Sequence, residues 1–329
     1  MPEPLGLPTV RRTQPDAVGV ASAGQSDTQP QAPRLVDGHG RVHRDLRISL
    51  TDHCNLRCSY CMPAEGVAWI ARDTLLTPAE LMRLVRVGVN LGVTEVRLTG
   101  GEPLLRPDVV EIVARIAALT RPDGGHPEVS MTTNGIGLAR LAEPLFDAGL
   151  KRVNVSLDTL RPDRFLALTR RDRLTDVLAG LDAAVDAGLA PIKVNSLLMR
   201  GVNDDEAVEL VRWAVGEGHE LRFIEHMPLD AGHTWKRSEM ITGAEILAKL
   251  GEAFELTALP GRGAAPAERW LVDGGPGTVG VIASVTMPFC GACDRLRLTA
   301  DGQLRNCLFA RDESDLRTPL REGATDDEI

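Results

Sequence analysis

The sequence predicts an α/β fold in which six strand–helix units form a parallel sheet with helices on its outside. Short β-rich runs alternate with amphipathic stretches that are long enough to be helices. Gly92, Gly149 and Gly188 follow three of these stretches, as C-cap glycines do. Polar or glycine-rich residues follow one strand after another, and parallel barrels carry their active sites at the carboxyl ends of their strands. Right-handed crossovers would curl such a sheet into a barrel or partial barrel.

The six units are expected to span residues 41–230. The predicted strands lie at 45–50, 93–98, 127–133, 151–157, 191–197 and 220–225. The predicted helices lie at 78–91, 107–119, 138–148, 174–188 and 204–217. Thr77-Pro78 at the start of the first helix combines an N-cap residue with proline at the first helical position, which supports that boundary.

The alternation stops beyond this region, and residues 231–329 are expected to form a C-terminal extension. A strand is predicted at 279–285, followed by a hairpin that turns at Ala300-Asp301-Gly302. Alternation in the first strand of the hairpin places two leucines on one face and Arg295 and Arg297 on the other.

Composition and charge narrow the class of protein. The net charge of −9 argues against broad binding of nucleic acid or anionic membranes, which needs a basic surface. No apolar run approaches the roughly 18 residues of a transmembrane helix, and no signal-peptide core is found, so we expect a cytoplasmic protein. Residues 1–40 are rich in Pro, Gln, Ser, Gly and Ala without apolar periodicity, which predicts a disordered N-terminal extension.

The six cysteines form two triplets, and the first follows the first predicted strand directly. Cys54, Cys58 and Cys61 have the spacing C-x3-C-x2-C. Three such thiolates can bind three irons of a 4Fe–4S cluster and leave the fourth iron open for a substrate or cofactor. A structural zinc site would need a fourth ligand, either His53 or a distant residue, so an iron–sulfur cluster is the favoured interpretation.

The second triplet is Cys290, Cys293 and Cys307, and its spacing alone leaves two interpretations open. The predicted hairpin brings Cys307 close to Cys293, which is compatible with a single three-cysteine site. A second cluster and a zinc site completed by His226 or His233 fit this pattern equally well.

Other strand-end residues are candidates for ligand contact. Gly100-Gly101 would let backbone approach a ligand closely, and Glu102 could accept a hydrogen bond from a ligand amine. Tyr60, the only tyrosine, is either a packing residue or an aromatic surface beside the cluster. Several cations lie near strand ends or the second triplet; each could be a solvated surface charge, but together they would suit a polyphosphate. They are Arg47, Arg97, Lys193, Arg222, Arg295 and Arg297.

These motifs resemble those of the radical S-adenosylmethionine (SAM) superfamily. The first triplet has an aromatic residue before its last cysteine, and Gly-Gly-Glu-Pro follows the next strand. The second triplet with Arg295 and Arg297, the segment Thr132-Thr133-Asn134-Gly135 and the segment 222–227 are similar to the GTP 3′,8-cyclase family, over residues 36 to 320. This resemblance implies a (β/α)6 partial TIM barrel and a C-terminal extension that carries a second iron–sulfur cluster.

The resemblance also implies roles for individual residues. Two 4Fe–4S clusters would be bound by Cys54, Cys58 and Cys61 and by Cys290, Cys293 and Cys307. SAM, chelating the open iron of the first cluster, would contact Tyr60, Gly101, Ser156 and Met227. GTP, with its guanine at the second cluster, would contact Arg47, Arg97, Thr132, Lys193, Arg295, Leu296 and Arg297.

The implied activity is that of a lyase in the first step of molybdenum cofactor biosynthesis. GTP would become (8S)-3′,8-cyclo-7,8-dihydroguanosine 5′-triphosphate. The 5′-deoxyadenosyl radical from SAM would take the C3′ hydrogen, and C3′ would add to guanine C8. A radical is needed because the C3′–H bond is not acidic enough for a side-chain base to remove the proton. The implied partners are a flavodoxin- or ferredoxin-type reductant, a second copy in a homodimer, and cyclic pyranopterin monophosphate synthase as the next enzyme.

Two other functions fit parts of the pattern. A peptide-modifying radical SAM enzyme with an auxiliary cluster would usually carry more C-terminal cysteines than this chain has. A non-catalytic zinc- or cluster-binding protein would need only the triplets. The similar family ends in a Gly-Gly tail, and this chain stops at Ile329, so the resemblance implies truncation before that tail, with consequences for activity.

Overall fold

A computed structural model describes residues 34–329, and a single mostly parallel sheet organises this part of the chain. Its strands are β1 (Asp45–Ser49), β2 (Glu95–Thr99), β3 (Glu128–Thr133), β4 (Leu150–Ser156), β5 (Lys193–Leu197), β6 (Glu220–Ile224), β7 (Leu256–Leu259), β8 (Glu268–Val272), β9 (Thr278–Ile282), β10 (Arg295–Leu298), β11 (Gln303–Arg305) and β12 (Ser314–Asp315). The strand order is β12-β11-β10-β1-β2-β3-β4-β5-β6-β9-β8-β7.

The helices cover the outside of this sheet. They are α1 (Pro78–Asn90), α2 (Val109–Ala117), α3 (Leu138–Asp147), α4 (Pro162–Thr169), α5 (Leu174–Asp186), α6 (Ala207–Gly216), α7 (Gly243–Gly251) and α8 (Arg317–Arg321). Thr77 and Glu80 form a capping box at the start of α1, as the Thr77-Pro78 signal indicated. Within residues 34–329, no helix combines the length and apolarity that crossing a bilayer requires.

The six predicted strand–helix units are confirmed, with boundaries that differ by up to three residues. Strands β1 to β6 pair in parallel in chain order. Helices α4, α7 and α8 and strands β7, β8 and β12 were not predicted. The signals were present, since α4 begins at Pro162 and Thr242 and Glu245 form a capping box before α7.

The C-terminal region does not stand apart from the six units. Strand β9 pairs in parallel with β6, and β10 pairs in parallel with β1. Residues beyond 230 therefore extend the sheet at both of its edges, giving eight parallel strands within the described chain. Antiparallel strands complete the two edges, β8 and β7 at one and β11 and β12 at the other.

Residues 34–40 are ordered, although the sequence predicted disorder there. Most of the predicted disordered extension, residues 1–33, lies outside the described residues. At 34–40 the prediction is wrong, because the amide of Leu35 donates to the Leu91 carbonyl and Val36 forms a bridge with Val42. Backbone hydrogen bonds and the partial burial of Leu35 hold this stretch against the core.

Alternation within the parallel strands decides which side chains face the core and which face the opposite side of the sheet. In β2, Val96 and Leu98 are buried in the core beneath the helices, whereas Arg97 and Thr99 face the opposite side of the sheet. The same alternation in β1 buries Leu46 and directs Arg47 to that side. The carboxyl ends of the strands and the loops after them surround two adjoining cavities.

Candidate active site

The first cavity, of about 250 Å³, is lined by residues from the ends of β2, β3 and β4 and from the first cysteine triplet. All three cysteines contribute to its wall. So do three of the four residues expected to contact SAM, namely Tyr60, Gly101 and Ser156. Phe165 and Leu168 of α4 add an apolar wall that the sequence prediction missed, because α4 itself was not predicted.

The loop that carries the first triplet is held by backbone and arginine hydrogen bonds. The amide of Cys61 donates to the Cys58 carbonyl at 3.0 Å, and Arg57 Nη1 donates to the Cys54 carbonyl at 2.7 Å. Burial raises the pKa of Cys58 to about 12, with a further contribution from the Asp158 carboxylate. Burial therefore disfavours the free thiolate, and a metal bound at this sulfur would favour its ionisation.

The Gly100-Gly101 pair is required by a close approach of backbone to backbone. A Cβ atom on Gly101 would lie 2.2 Å from the carbonyl oxygen of His53, and one on Gly100 would lie 2.4 Å from that of Thr51. The Gly101 amide donates to the Thr51 carbonyl at 2.7 Å. The glycines therefore attach the end of β2 to the segment that leads into the cysteine loop, in addition to lining the cavity.

The expected role of Glu102 as an acceptor for a ligand amine is wrong in this structure. Its side chain is 1% exposed and does not line the first cavity. It accepts hydrogen bonds from the Thr133 hydroxyl at 2.7 Å, the Asn134 amide at 2.7 Å and the Leu104 amide at 3.0 Å. Glu102 thus connects the loop after β2 to the loop after β3.

Two polar contacts reach the cysteine loop from neighbouring strand ends. The Tyr60 hydroxyl donates to Asp158 Oδ2 at 2.6 Å, and Asp158 Oδ1 accepts from the Leu197 amide at 2.8 Å. Burial raises the pKa of Asp158 to about 6. The Asn134 side-chain amide donates to Asn55 at 2.7 Å and lies 3.9 Å from the Cys54 sulfur. Tyr60 therefore lines the cavity and also joins the cysteine loop to Asp158 at the end of β4.

The second cavity, of about 240 Å³, brings the second cysteine triplet together with most of the predicted cations. Side chains from all eight parallel strands line it, including Arg47, Arg97, Arg222, Arg295 and Arg297. Thr99 and Thr132 line both cavities, so the two cavities adjoin at the ends of β2 and β3.

Strand register places three of these arginines side by side. Arg47 on β1 pairs with Arg297 on β10 and with Arg97 on β2. Burial lowers the pKa of Arg47 and of Arg297 to about 10, and the neighbouring arginines contribute to both shifts. Like charges opposite one another on adjacent strands destabilise a sheet. Asp45, 3.3 Å from Arg47, offsets only part of this charge.

Arg295 is a buried cation of this cavity whose charge the protein compensates only in part. It is 8% exposed, and its Nε and Nη2 atoms have no hydrogen-bond partner. Its guanidinium lies 4.9 Å from the ring centroid of Phe289, which supports it by a cation–π contact. A buried guanidinium with free donors is suited to an anionic ligand.

Three predicted positions differ from their expected placement. Leu296 packs in the hydrophobic core behind β10, so its side chain does not face the second cavity. Met227, expected at SAM, lines the second cavity rather than the first. Lys193 does not line either cavity. Burial lowers the pKa of its ammonium to about 8, and repulsion from Arg222 adds to this shift.

Sequence reasoning also missed cavity residues. Arg41, Asn154 and Asn195 line the second cavity without having been assigned a role. Strand alternation was a usable signal for the two asparagines, since Asn154 lies on β4 and Asn195 on β5. No comparable signal marks Arg41, which precedes the first strand.

Neither histidine proposed as a zinc ligand lines the second cavity. The His226 ring is buried 6.2 Å from that of Tyr60, and His233 lies in an exposed turn. Between residues 34 and 329, no group of three or more His, Cys, Asp or Glu side chains is arranged to hold one metal ion. The cavity therefore offers three free thiols without the histidine of a Cys3His zinc site.

Known proteins resemble the chain over most of its length. The Radical SAM superfamily profile matches residues 48–214, and the Molybdenum Cofactor Synthesis C profile matches residues 219–329. A GTP 3′,8-cyclase of Streptomyces coelicolor is 62% identical over 308 residues, which are 93% of this chain and 89% of the relative. One of Mycolicibacterium smegmatis is 56% identical over 332 residues, covering 99% of this chain and 89% of the relative.

Solved structures support the fold independently. SuiB of Streptococcus suis, bound to S-adenosylmethionine, matches with a TM-score of 0.59 and 13% identity. The match covers 85% of this chain, which spans 65% of SuiB. The profiles, the relatives and the parallel sheet agree, and the chain therefore belongs to the GTP 3′,8-cyclase family within the radical SAM superfamily.

Proposed function

We propose that the chain converts GTP into (8S)-3′,8-cyclo-7,8-dihydroguanosine 5′-triphosphate in the first step of molybdenum cofactor biosynthesis. One observation carries this proposal above the others. A cavity with three in-register arginines and the second cysteine triplet adjoins the cavity of the first triplet, and Thr99 and Thr132 line both. A polyanion and a radical source can therefore be held next to each other.

The residues of the first cavity fit a 4Fe–4S cluster that binds SAM at its open iron. All three cysteines are free thiols on one cavity wall. In such a cluster each cysteine binds a different iron, so the sulfurs stand farther apart than the ligands of a single zinc ion. The absence of a single-ion ligand group among residues 34–329 is compatible with this spacing. The same reasoning supports a second cluster at Cys290, Cys293 and Cys307.

The second cavity fits a nucleoside triphosphate by charge. Arg47, Arg97 and Arg297 form a row across three adjacent strands, and Arg295 has free donors. Bound phosphates would relieve the repulsion along this row and pair with those donors. We assign Thr132 and Lys193 to the same ligand. Lys193 would act from behind the residues that line the cavity. Leu296 would contact the ligand only through its backbone, because its side chain lies in the core.

The protein's own part in the reaction is binding, orientation and exclusion of water. When bound at the reduced first cluster, SAM would supply a 5′-deoxyadenosyl radical able to take the C3′ hydrogen of GTP. Addition of C3′ to guanine C8 would leave a radical on the base, and one further electron from the reductant and a proton from solvent would complete the dihydro product. Tyr60, Gly101 and Ser156 would hold SAM, with Phe165 and Leu168 keeping water away. No side chain is required to remove a proton from C3′.

We further infer that the sheet forms a partial barrel, because one cavity has lining residues from all eight parallel strands. Residues 41–230 would form its six-unit part, and residues 231–329 would supply the auxiliary-cluster region. The family relationship suggests a homodimer, a flavodoxin- or ferredoxin-type reductant, and transfer of product to cyclic pyranopterin monophosphate synthase.

Anaerobic reconstitution followed by incubation with SAM, reductant and GTP tests the proposal. We expect about eight irons per chain, together with 5′-deoxyadenosine and the cyclised nucleotide in equal amounts. Cys290→Ser should keep about four irons at the first triplet and lose the cyclised product. Zinc at the second triplet, or radical formation that never alters GTP, would refute the assignment.

A further inference from the structure

Arg41 lies in the wall of the second cavity but belongs to a segment outside the sheet. Residues 35–43 fold back on themselves, with a bridge between Val36 and Val42 and a hydrogen bond of 2.9 Å from the His43 amide to the Leu35 carbonyl. This loop is attached to the end of α1 through Leu35. Arg41 reaches from it into the cavity that contains the second cysteine triplet.

Asp37 fixes the orientation of the Arg41 guanidinium. Arg41 Nε and Nη2 both donate to Asp37 Oδ2, at 2.8 and 2.5 Å, and its backbone amide donates to Oδ1 at 3.0 Å. The His39 amide adds a bond of 2.9 Å to Oδ1. Burial alone would raise the pKa of Asp37, but the hydrogen bonds from Arg41 and His39 hold it well below its usual range. The pair therefore stays charged.

The remaining nitrogen of the guanidinium connects this pair to the second triplet. Arg41 Nη1 donates to the carbonyl of Cys290 at 3.3 Å. Cys290 is exposed at the start of a short 3-10 turn, and its carbonyl also accepts from the Cys293 amide at 3.2 Å. The hydrogen bond to Asp37 raises the pKa of Arg41, so the guanidinium stays charged beside the second triplet.

We propose that Arg41 is a positioning residue for the second cluster: held by Asp37, it anchors the Cys290 turn and adds a positive charge beside the three thiolates. The inference rests on the second cluster of the proposed function and deepens it by naming a residue outside the three ligands. Groups that hold metal ligands in place strengthen metal binding, and nearby charge tunes the reduction potential of a cluster.

Four variants separate the two contributions. Arg41→Met removes both the anchor and the charge, Arg41→Lys keeps the charge, and Asp37→Asn keeps the arginine but frees it. Arg44→Met is the matched control, because Arg44 is exposed in the same segment and does not line either cavity. Each is also prepared with Cys290, Cys293 and Cys307 replaced by serine, so that the first cluster is observed alone.

Two quantities are measured. One is the rate of iron release to a chelator, and the other is the midpoint potential of each cluster, monitored by electron paramagnetic resonance. In Arg41→Met we expect iron release from the second cluster about tenfold faster than in the wild type, and a more negative potential. Arg41→Lys should release iron faster while the potential stays near that of the wild type, whereas Asp37→Asn should release iron faster and raise the potential, because it removes a negative charge beside the cluster. Arg44→Met, and every variant in the serine background, should match its parent.

Two outcomes would overturn the inference. One refutes only the role of Arg41, and the other also refutes the second cluster of the proposed function. A wild-type chain that binds about eight irons, with an Arg41→Met variant that matches it in release rate and potential, refutes the role of Arg41 alone. A wild-type chain that binds only about four irons removes the second cluster of the proposed function and this inference with it.

Discussion

Replacing Glu102 by glutamine should destabilise the protein by about 2 kcal/mol although the two side chains have nearly the same shape. Glu102 is 1% exposed and accepts three hydrogen bonds, two at Oε1 and one at Oε2. The donors belong to Leu104, Thr133 and Asn134, so the carboxylate joins the loops after β2 and β3. Both loops contribute to the first cavity.

The magnitude follows from what glutamine can satisfy. With its oxygen at the Oε1 position it keeps the bonds from Thr133 and Leu104, but its amide group then faces the Asn134 N–H as a second donor. One hydrogen bond to a charged group is lost, which costs about 1.5–3 kcal/mol. Burial raises the pKa of Glu102, so the ionised carboxylate carries a desolvation penalty that the neutral amide avoids, and this offsets part of the loss.

Thermal unfolding under anaerobic conditions, with wild type and variant in the same cluster-loaded state, measures the effect. For a chain of 329 residues, at about 2.1 cal/mol/K of unfolding entropy per residue, 2 kcal/mol corresponds to a lowering of the melting temperature by roughly 3 °C. Glu102→Ala leaves three donors unpaired and should cost about twice as much. Glu111→Gln is the control, since its side chain is 65% exposed and pairs only with Arg115. A Glu102→Gln melting temperature equal to that of the control would refute this reasoning.

Three further predictions follow from the cavities. Lys193 has a pKa of about 8, so GTP affinity should fall as the pH rises through this range and the ammonium is lost; calorimetry on Lys193→Met should show weaker binding without that fall. Gly101→Ala should abolish SAM binding by equilibrium dialysis, because its Cβ would meet the His53 carbonyl, whereas Gly216→Ala, with open space around it, should bind normally. Asn134→Ala should lower the midpoint potential of the first cluster, because it removes the donor 3.9 Å from the Cys54 sulfur; an unchanged potential would exclude that contact.

Much of the site could be predicted from sequence because its signals are local. The first triplet lies within eight residues, and the strand ends follow directly from the alternation of strands and helices. Arg295 and Arg297 could be assigned to one face of a strand by its two-residue period alone. That same period could have excluded the Leu296 side chain from the cavity, since it lies between them.

The contacts of Glu102 and Arg41 could not be predicted from local sequence patterns. Nothing near Glu102 in the sequence indicates that Thr133 and Asn134, about thirty residues later, take up its hydrogen-bonding capacity. The contact between Arg41 and Cys290 spans 249 residues. Both depend on which strand ends and loops become neighbours, and no periodicity in the chain encodes that.

The sequence by itself determined the strand–helix alternation, the two thiol triplets and the supply of cations, because each is a pattern within a few neighbouring residues. Only the tertiary structure decided that β9 and β10 extend the two edges of the six-strand sheet, so that one cavity combines the second triplet with arginines from the first half of the chain. Pairing between β1 and β10 aligns Arg47 with Arg297, and such a register is set by backbone hydrogen bonds and core packing between distant segments.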